Sequence, residues 1–212
     1  MYVIGDLHLD EIYLIYSPLA NERFQDLIAH RDRTFEEHLT FFKQGLEGLA
    51  YVHGKGFMHR DVKPGNMAIV PSDPARLVIL DFGVATKARA STNHNVGTIA
   101  YLAPEVMALK RGVSSQPYDK SVDIWGLGLS FYQVFCHRKG WWHEIDDRTY
   151  ERIRSDLTPG IPIADLLLRT LELNPRRRIT AKEALNDPYL EAIESYNSFG
   201  LPDAVGKRGR EV

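Results

Sequence analysis

The chain has 212 residues, 44% of them apolar and 25% charged, which is enough to bury one proper core with room for a small second unit. With 26 Lys+Arg against 28 Asp+Glu, the formal net charge of −2 argues against nucleic acid or an anionic membrane as the main partner. A single cysteine, Cys136, excludes an internal disulfide framework, and no apolar run reaches the roughly 18 residues that span a bilayer.

The N-terminus has no basic stretch followed by an apolar one, so the expectation is an intracellular protein, cytoplasmic or nuclear. Two short strands are predicted at residues 2–4 and 12–16, with Gly5, Asp6, Asp10 and Glu11 in the polar connection. Ser17-Pro18 stops the second one, because proline cannot donate to a ladder. Thr34-Phe35-Glu36-Glu37 has the form of a capping box. Behind it Phe35, Leu39, Phe42, Leu46, Leu49 and Val52 recur at three- and four-residue steps, which predicts an amphipathic helix ending near Gly54 and Gly56.

Two further strands are predicted near residues 67–70 and 77–80, separated by Pro71-Ser72-Asp73-Pro74. Residues 81–105 read as one long irregular segment, and loops of that length are usually functional. From Ser121 to Phe135 the chain is apolar on nearly every face, so this helix should be buried all round. Helices follow near 147–155, 163–172 and 180–185, the last capped by Thr180 with Glu183 at the capping-box position. Beyond Tyr189 the apolar periodicity is lost and a frayed tail is expected.

The residues that carry chemistry are His59-Arg60-Asp61-Val62-Lys63-Pro64-Gly65-Asn66, then Asp81-Phe82-Gly83, then Ala103-Pro104-Glu105. Any one of these short strings alone is a common turn. Together, with Asp61 and Asp81 separated by 20 positions and a hairpin between them, the set resembles the catalytic half of a eukaryotic-type protein kinase. The resemblance implies a mainly α fold: a kinase C-lobe helical domain with short β-hairpins, plus a remnant of N-lobe strands. It divides the chain into residues 1–20 as remnant strands and hinge, 21–190 as the C-lobe, and 191–212 as a flexible tail.

By the same resemblance, the cofactors are ATP and Mg²⁺ and the partner is a protein substrate. Asp61 orients the acceptor hydroxyl and takes its proton, and Lys63 neutralises the transferring phosphate. Asn66 and Asp81 supply hard oxygen ligands of the kind that suit Mg²⁺. His59 and Phe82 pack the two loops together, and Gly83 gives the backbone freedom after the metal ligand.

Lys63 two residues beyond Asp61, and Gly97-Thr98-Ile99-Ala100-Tyr101 ahead of Ala103-Pro104-Glu105, resemble the serine/threonine type. That assigns to Thr98 a hydroxyl contact with Asp61 and Lys63; the plainer alternative is a threonine that only ends a loop. Arg60 implies a switch, in which a phosphate on the following segment pairs with it. Ser91 and Thr92 lie in the right part of that segment, or else are ordinary polar loop residues.

The scaffold extends the resemblance. Asp123-Ile124-Trp125-Gly126-Leu127-Gly128 is similar to the buried central helix of the family, with glycine at 126 where serine is usual, and Asp123 would accept from the catalytic-loop backbone. Asn174-Pro175-Arg176-Arg177-Arg178-Ile179-Thr180 makes Arg178 the expected partner of Glu105, a structural pair.

The pattern also departs from the family. The 58 residues before His59 contain no glycine-rich phosphate loop, and no lysine precedes Lys43, so the ion pair that holds the nucleotide phosphates is missing from this sequence. Residues 12–24 resemble the last N-lobe strand and the hinge, where Glu22 either contacts the ribose or is a plain surface glutamate. Ala68 falls on the floor of the adenine pocket, where a larger aliphatic is commoner. Gly65 replaces an acidic residue that often selects basic substrates.

Trp141 and Trp142 are either partly buried or leave one ring exposed to a partner. None of the 8 histidines has metal-ligand spacing, so no structural zinc is expected. Without an N-lobe above them, Met67, Ile69 and Phe82 are expected to form an exposed patch that favours self-association or an N-terminal lid. Two readings follow: a serine/threonine kinase lobe, weak or inactive by itself, or a pseudokinase-like scaffold that docks proteins without turnover.

Overall fold

The structure is a computed structural model that describes residues 22–25, 33–138, 145–157 and 163–190. Its long helix α1, Phe35–Gly54, begins where the capping box predicts. The Thr34 hydroxyl accepts from the Glu37 amide at 3.2 Å, and the Glu37 carboxylate accepts from the Thr34 amide at 2.8 Å. Its apolar stripe, Leu39, Phe42, Leu46 and Leu49, is buried, and Gly56 leaves the helix with φ +82°.

A three-stranded antiparallel sheet lies beside α1, in the order β1 (Glu22–Arg23), β2 (Met67–Val70), β3 (Arg76–Ile79). The register sets Met67 opposite Ile79 and Glu22 opposite Ile69. The Gln44 side chain of α1 completes the sheet, accepting from the Leu77 amide at 2.6 Å and donating to the Ala75 carbonyl at 3.3 Å.

The second long helix, α3 (Ser121–Phe135), is the axis of the molecule. Every residue from Val122 to Val134 is buried, with Trp125, Phe131 and Tyr132 fully enclosed. Fully burying side chains of that kind contributes about 1.5–3 kcal/mol each, so this helix carries much of the core. Phe24, just after β1, packs tilted on Phe131 at 4.8 Å, and Phe42 of α1 packs edge-on to it at 5.0 Å. The shorter helices are α2 (Pro104–Lys110), α4 (Asp147–Asp156), α5 (Ala164–Thr170) and α6 (Ala181–Leu185); α5 packs on α3, and α6 packs on α1. The α6 capping box between Thr180 and Glu183 is present. No described helix is long and apolar enough to cross a membrane.

Some expectations need correction. The segment leading to Glu105 does not stay irregular: it tightens into a 3₁₀ turn, Ile99–Tyr101, and then enters α2 with Pro104 at its first position. Met67 and Ile69 do not form an exposed patch; they are 1% and 2% exposed, and only Phe82 of that trio is half-buried. The β2 strand is buried on both faces, so alternation does not turn either side chain outward. The strands predicted at 2–4 and 12–16, Trp141 and Trp142, and the tail 191–212 lie outside the described residues.

Candidate active site

The loop His59–Asn66 leaves α1 and enters β2, and a buried carboxylate shapes its start. Asp123, 0% exposed on α3, accepts from the His59 amide at 2.8 Å, the Arg60 amide at 2.7 Å and the His53 ring at 2.8 Å. A carboxylate taken from water needs such donors, and these three fix the loop to the central helix. Arg60 is thereby held at φ +70°, an unusual backbone for a non-glycine residue. Its guanidinium Nε donates to the Val84 carbonyl at 2.6 Å, and among the described residues no carboxylate pairs with it.

Beyond Arg60, four polar side chains converge. Asp61 Oδ1 accepts from the Thr98 hydroxyl at 2.8 Å. Asp61 Oδ2 accepts from Lys63 Nζ at 2.8 Å and from Asn66 Nδ2 at 2.9 Å. Lys63 Nζ also donates to Thr98 Oγ1 at 2.6 Å, and Asn66 Nδ2 to the Asp61 carbonyl at 2.8 Å. Pro64 opens the 3₁₀ turn Pro64–Asn66, whose tightness brings Asn66 back over Asp61.

The Leu80 amide donates to the Asn66 carbonyl at 2.8 Å, so the residue after it, Asp81, starts beside Asn66. Asp81 is exposed and stands at φ +60°; its Oδ1 accepts from the Gly83 amide at 3.2 Å. The left-handed backbone in this turn belongs to Asp81 itself, and Gly83 is not at positive φ. What Gly83 provides is room, since a Cβ on it would stand 3.1 Å from Asp81 Oδ1. His59 and Phe82 do join the two loops: their rings lie 4.8 Å apart, and His59 Nε2 bonds the Leu80 carbonyl at 2.9 Å.

The segment that carries Thr98 is tied at three points. Met58 and Thr86 exchange backbone hydrogen bonds of 2.9 and 3.0 Å. Ser91 and Tyr118 do the same, both at 2.9 Å, and the Tyr118 hydroxyl donates to the Asn93 carbonyl at 2.6 Å. Gly97 then turns at φ +88° against the loop, where a Cβ would meet the Arg60 carbonyl oxygen at 2.8 Å. Thr92 is exposed, while the Ser91 hydroxyl accepts from the Asn93 amide at 3.1 Å. Among the described residues neither hydroxyl is hydrogen-bonded to Arg60.

Arg178 and Glu105 form a bidentate pair at 2.7 and 3.0 Å, with the Arg178 side chain fully buried over the Trp125 ring. Ala68 is buried in β2, and Glu22 belongs to β1 by its backbone. A cleft beside Asp61 is lined by Val62, Val96, Thr98, Tyr101 and Leu102.

Residues that sequence reasoning did not find are His53, the third donor to Asp123, and the pair Tyr101–Gln133, whose hydroxyl and amide oxygen are 3.0 Å apart. Nothing in the local sequence marks either, since the partners are 70 and 32 positions apart. Burial pushes the Tyr101 phenol above its usual range, against the opposing effect of the Gln133 hydrogen bond, so the hydroxyl is a donor at neutral pH.

A family profile described as the protein kinase domain matches residues 6–190. The maternal embryonic leucine zipper kinase of Xenopus laevis is 32% identical over 191 residues, covering 84% of this chain and 27% of that protein. An Aurora kinase of Yarrowia lipolytica is 32% identical over 209 residues, 94% of this chain and 54% of that protein. A calcium/calmodulin-dependent protein kinase type II of Caenorhabditis elegans is 31% identical over 191 residues, 84% of this chain and 26% of that protein. The chain thus spans between about a quarter and about half the length of these relatives. A profile that runs through the catalytic loop to the end of the last described helix, together with these relatives, means that the chain belongs to the eukaryotic-type serine/threonine protein kinases.

Proposed function

We propose that this chain is the C-lobe of a serine/threonine protein kinase and moves the terminal phosphoryl group of Mg-ATP to a protein Ser or Thr hydroxyl. The observation that carries this reading is the state of the Asp61 carboxylate. It offers about four lone-pair positions, and Thr98, Lys63 and Asn66 occupy three of them. One position is left to accept an incoming hydroxyl, and the three donors hold it in a single direction.

The donor set fits a hard cation. Asn66 spends its amide nitrogen on Asp61, and among the described residues no donor engages its Oδ1. Asp81 is exposed and, among the described residues, its carboxylate accepts from the Gly83 amide alone, so two hard oxygens from adjacent loops are open to Mg²⁺. When bound, Mg-ATP supplies the phosphoryl group and the divalent charge that neutralises its oxygens.

The residues of the chain do the rest. Asp61 orients the acceptor hydroxyl and takes its proton as the phosphoryl group departs toward that oxygen. Lys63 has three N–H donors, two of them spent on Asp61 and Thr98, and directs the third at the phosphate. Thr98 passes one hydrogen bond from Lys63 to Asp61 and so keeps cation and carboxylate in register. Ala68, buried in β2, and Glu22, in the neighbouring strand, are the positions for the nucleotide base and ribose. A phosphate on Ser91 or Thr92 would meet Arg60, whose hydrogen bond through Nε leaves its terminal nitrogens for that use.

No lysine precedes Lys43 and no glycine-rich loop stands in the first 58 residues, so transfer by this chain alone is expected to be slow. A radiolabel transfer assay with Mg-ATP and a generic protein substrate tests the reading. Label transfer that disappears in Asp61→Asn and Asp81→Asn supports it; transfer that persists in both overturns it. Millimolar Mg-ATP that neither raises the melting temperature nor labels a substrate favours the scaffold alternative.

A further inference from the structure

Gln133 is fully buried on α3, and its side-chain nitrogen has no hydrogen-bond partner among the described residues. An orphaned buried donor is costly, and an apolar side chain of the same length would avoid it, so its presence asks for a compensating role. Its oxygen supplies one, since Oε1 accepts from the Tyr101 hydroxyl at 3.0 Å. From Tyr101 the connection continues through the 3₁₀ turn: the Tyr101 amide donates to the Thr98 carbonyl at 2.8 Å. The Thr98 hydroxyl then donates to Asp61 at 2.8 Å.

The turn between these ends has little stability of its own. It is three residues long, its second backbone bond is stretched to 3.3 Å, and Ile99 in it is 46% exposed. Ala100 and Leu102 anchor it by burial, but apolar contact is non-directional and does not set the rotation of the turn. A hydrogen bond to a fixed acceptor does.

We infer that Gln133 is a positioning residue for the phosphoryl-transfer site, one that holds the Tyr101 ring against α3 and so fixes the turn presenting the Thr98 hydroxyl to Asp61. Gln133 touches none of the reacting groups. The inference rests on the functional reading of Asp61 and Thr98 given above.

Amide hydrogen exchange of the isotope-labelled chain tests it without requiring turnover. Gln133→Met, which keeps length but lacks the acceptor, and Tyr101→Phe, which lacks the donor, are each expected to speed exchange of the Tyr101 amide about tenfold or more. The amides of α3 are expected to keep their protection in both variants. In the transfer assay, both disrupting variants lower kcat with the KM for nucleotide little changed. Unchanged Tyr101 exchange in Gln133→Met and Tyr101→Phe overturns the inference. So does loss of protection along all of α3, which would make Gln133 a core filler only. A parent chain that transfers no phosphate counts against the functional reading, and the exchange result still decides the coupling of Gln133 to the turn.

Discussion

Gly126 of α3 faces the catalytic loop so closely that a Cβ on it would stand 2.5 Å from the carbonyl oxygen of Val62. The obstacle is backbone, which has no rotamer to escape into. Val62 sits between Asp61 and Lys63, so any shift that relieves the clash moves the loop that holds both. Gly126→Ala is therefore expected to destabilise the chain by about 1–3 kcal/mol through overpacking. It should also slow any phosphoryl transfer more than it weakens nucleotide binding. Thermal melting together with a transfer assay checks this; an unchanged melting temperature would show that α3 and the loop separate freely.

The Glu105–Arg178 pair is expected to behave as a buried clamp. Removing either partner strands a charge, at a cost of about 3–5 kcal/mol. Glu105→Gln and Arg178→Met should each shift the urea midpoint strongly, with the double variant recovering part of the loss. Arg178 also donates to the Glu172 and Ser121 carbonyls at 2.9 and 3.1 Å, so its single variant should be the worse of the two. Trp125, with the Arg178 guanidinium 5.1 Å from its ring, gives a fluorescence signal for the transition. Equal midpoints for parent and variants would refute the clamp.

Thr98 separates chemistry from stability. Its hydroxyl bonds Asp61 and Lys63 from a half-buried position, so Thr98→Val should leave the fold largely intact. Loss of one preorganised donor at a reacting centre typically lowers the rate about 10²-fold or more, and that fall in kcat is expected here. Thr98→Ser keeps the hydroxyl and should retain most of the rate. A Thr98→Val chain as fast as the parent would reduce Thr98 to a loop-ending residue.

A pH dependence follows from His38. Burial, then the nearby His137, lowers its pKa from 6.5, with Glu37 opposing and Arg33 adding to the shift. Its Nε2 is buried without a partner among the described residues, and its ring stands edge-on to Phe135 at 6.2 Å. The folded state thus binds a proton less readily than the unfolded state. The contribution of His38 is undiminished above about pH 6.5 and falls as pH drops below it, because the unfolded chain then takes up the proton first. Between about pH 7.5 and about pH 5.5 the parent chain should lose more melting temperature than His38→Met. Equal losses would show that this histidine does not report on folding.

The parts of the molecule legible in sequence were those fixed by neighbours along the chain. The capping boxes at Thr34 and Thr180 placed two helix starts, and a segment apolar on nearly every face announced the buried helix whose residues Val122–Val134 are all enclosed. The short strings around Asp61, Asp81 and Glu105 pointed to one chemistry because each side chain there is read from its own motif.

Packing alone decided the rest. It buried Met67 and Ile69, gave a left-handed backbone to Asp81, and supplied His53 to Asp123 and Gln133 to Tyr101. These relations join residues far apart in the chain, or depend on which of two buried faces meets a neighbour. Local propensity and spacing carry no information on either, because the partner that satisfies a buried polar atom is chosen only when the helices and loops close around it.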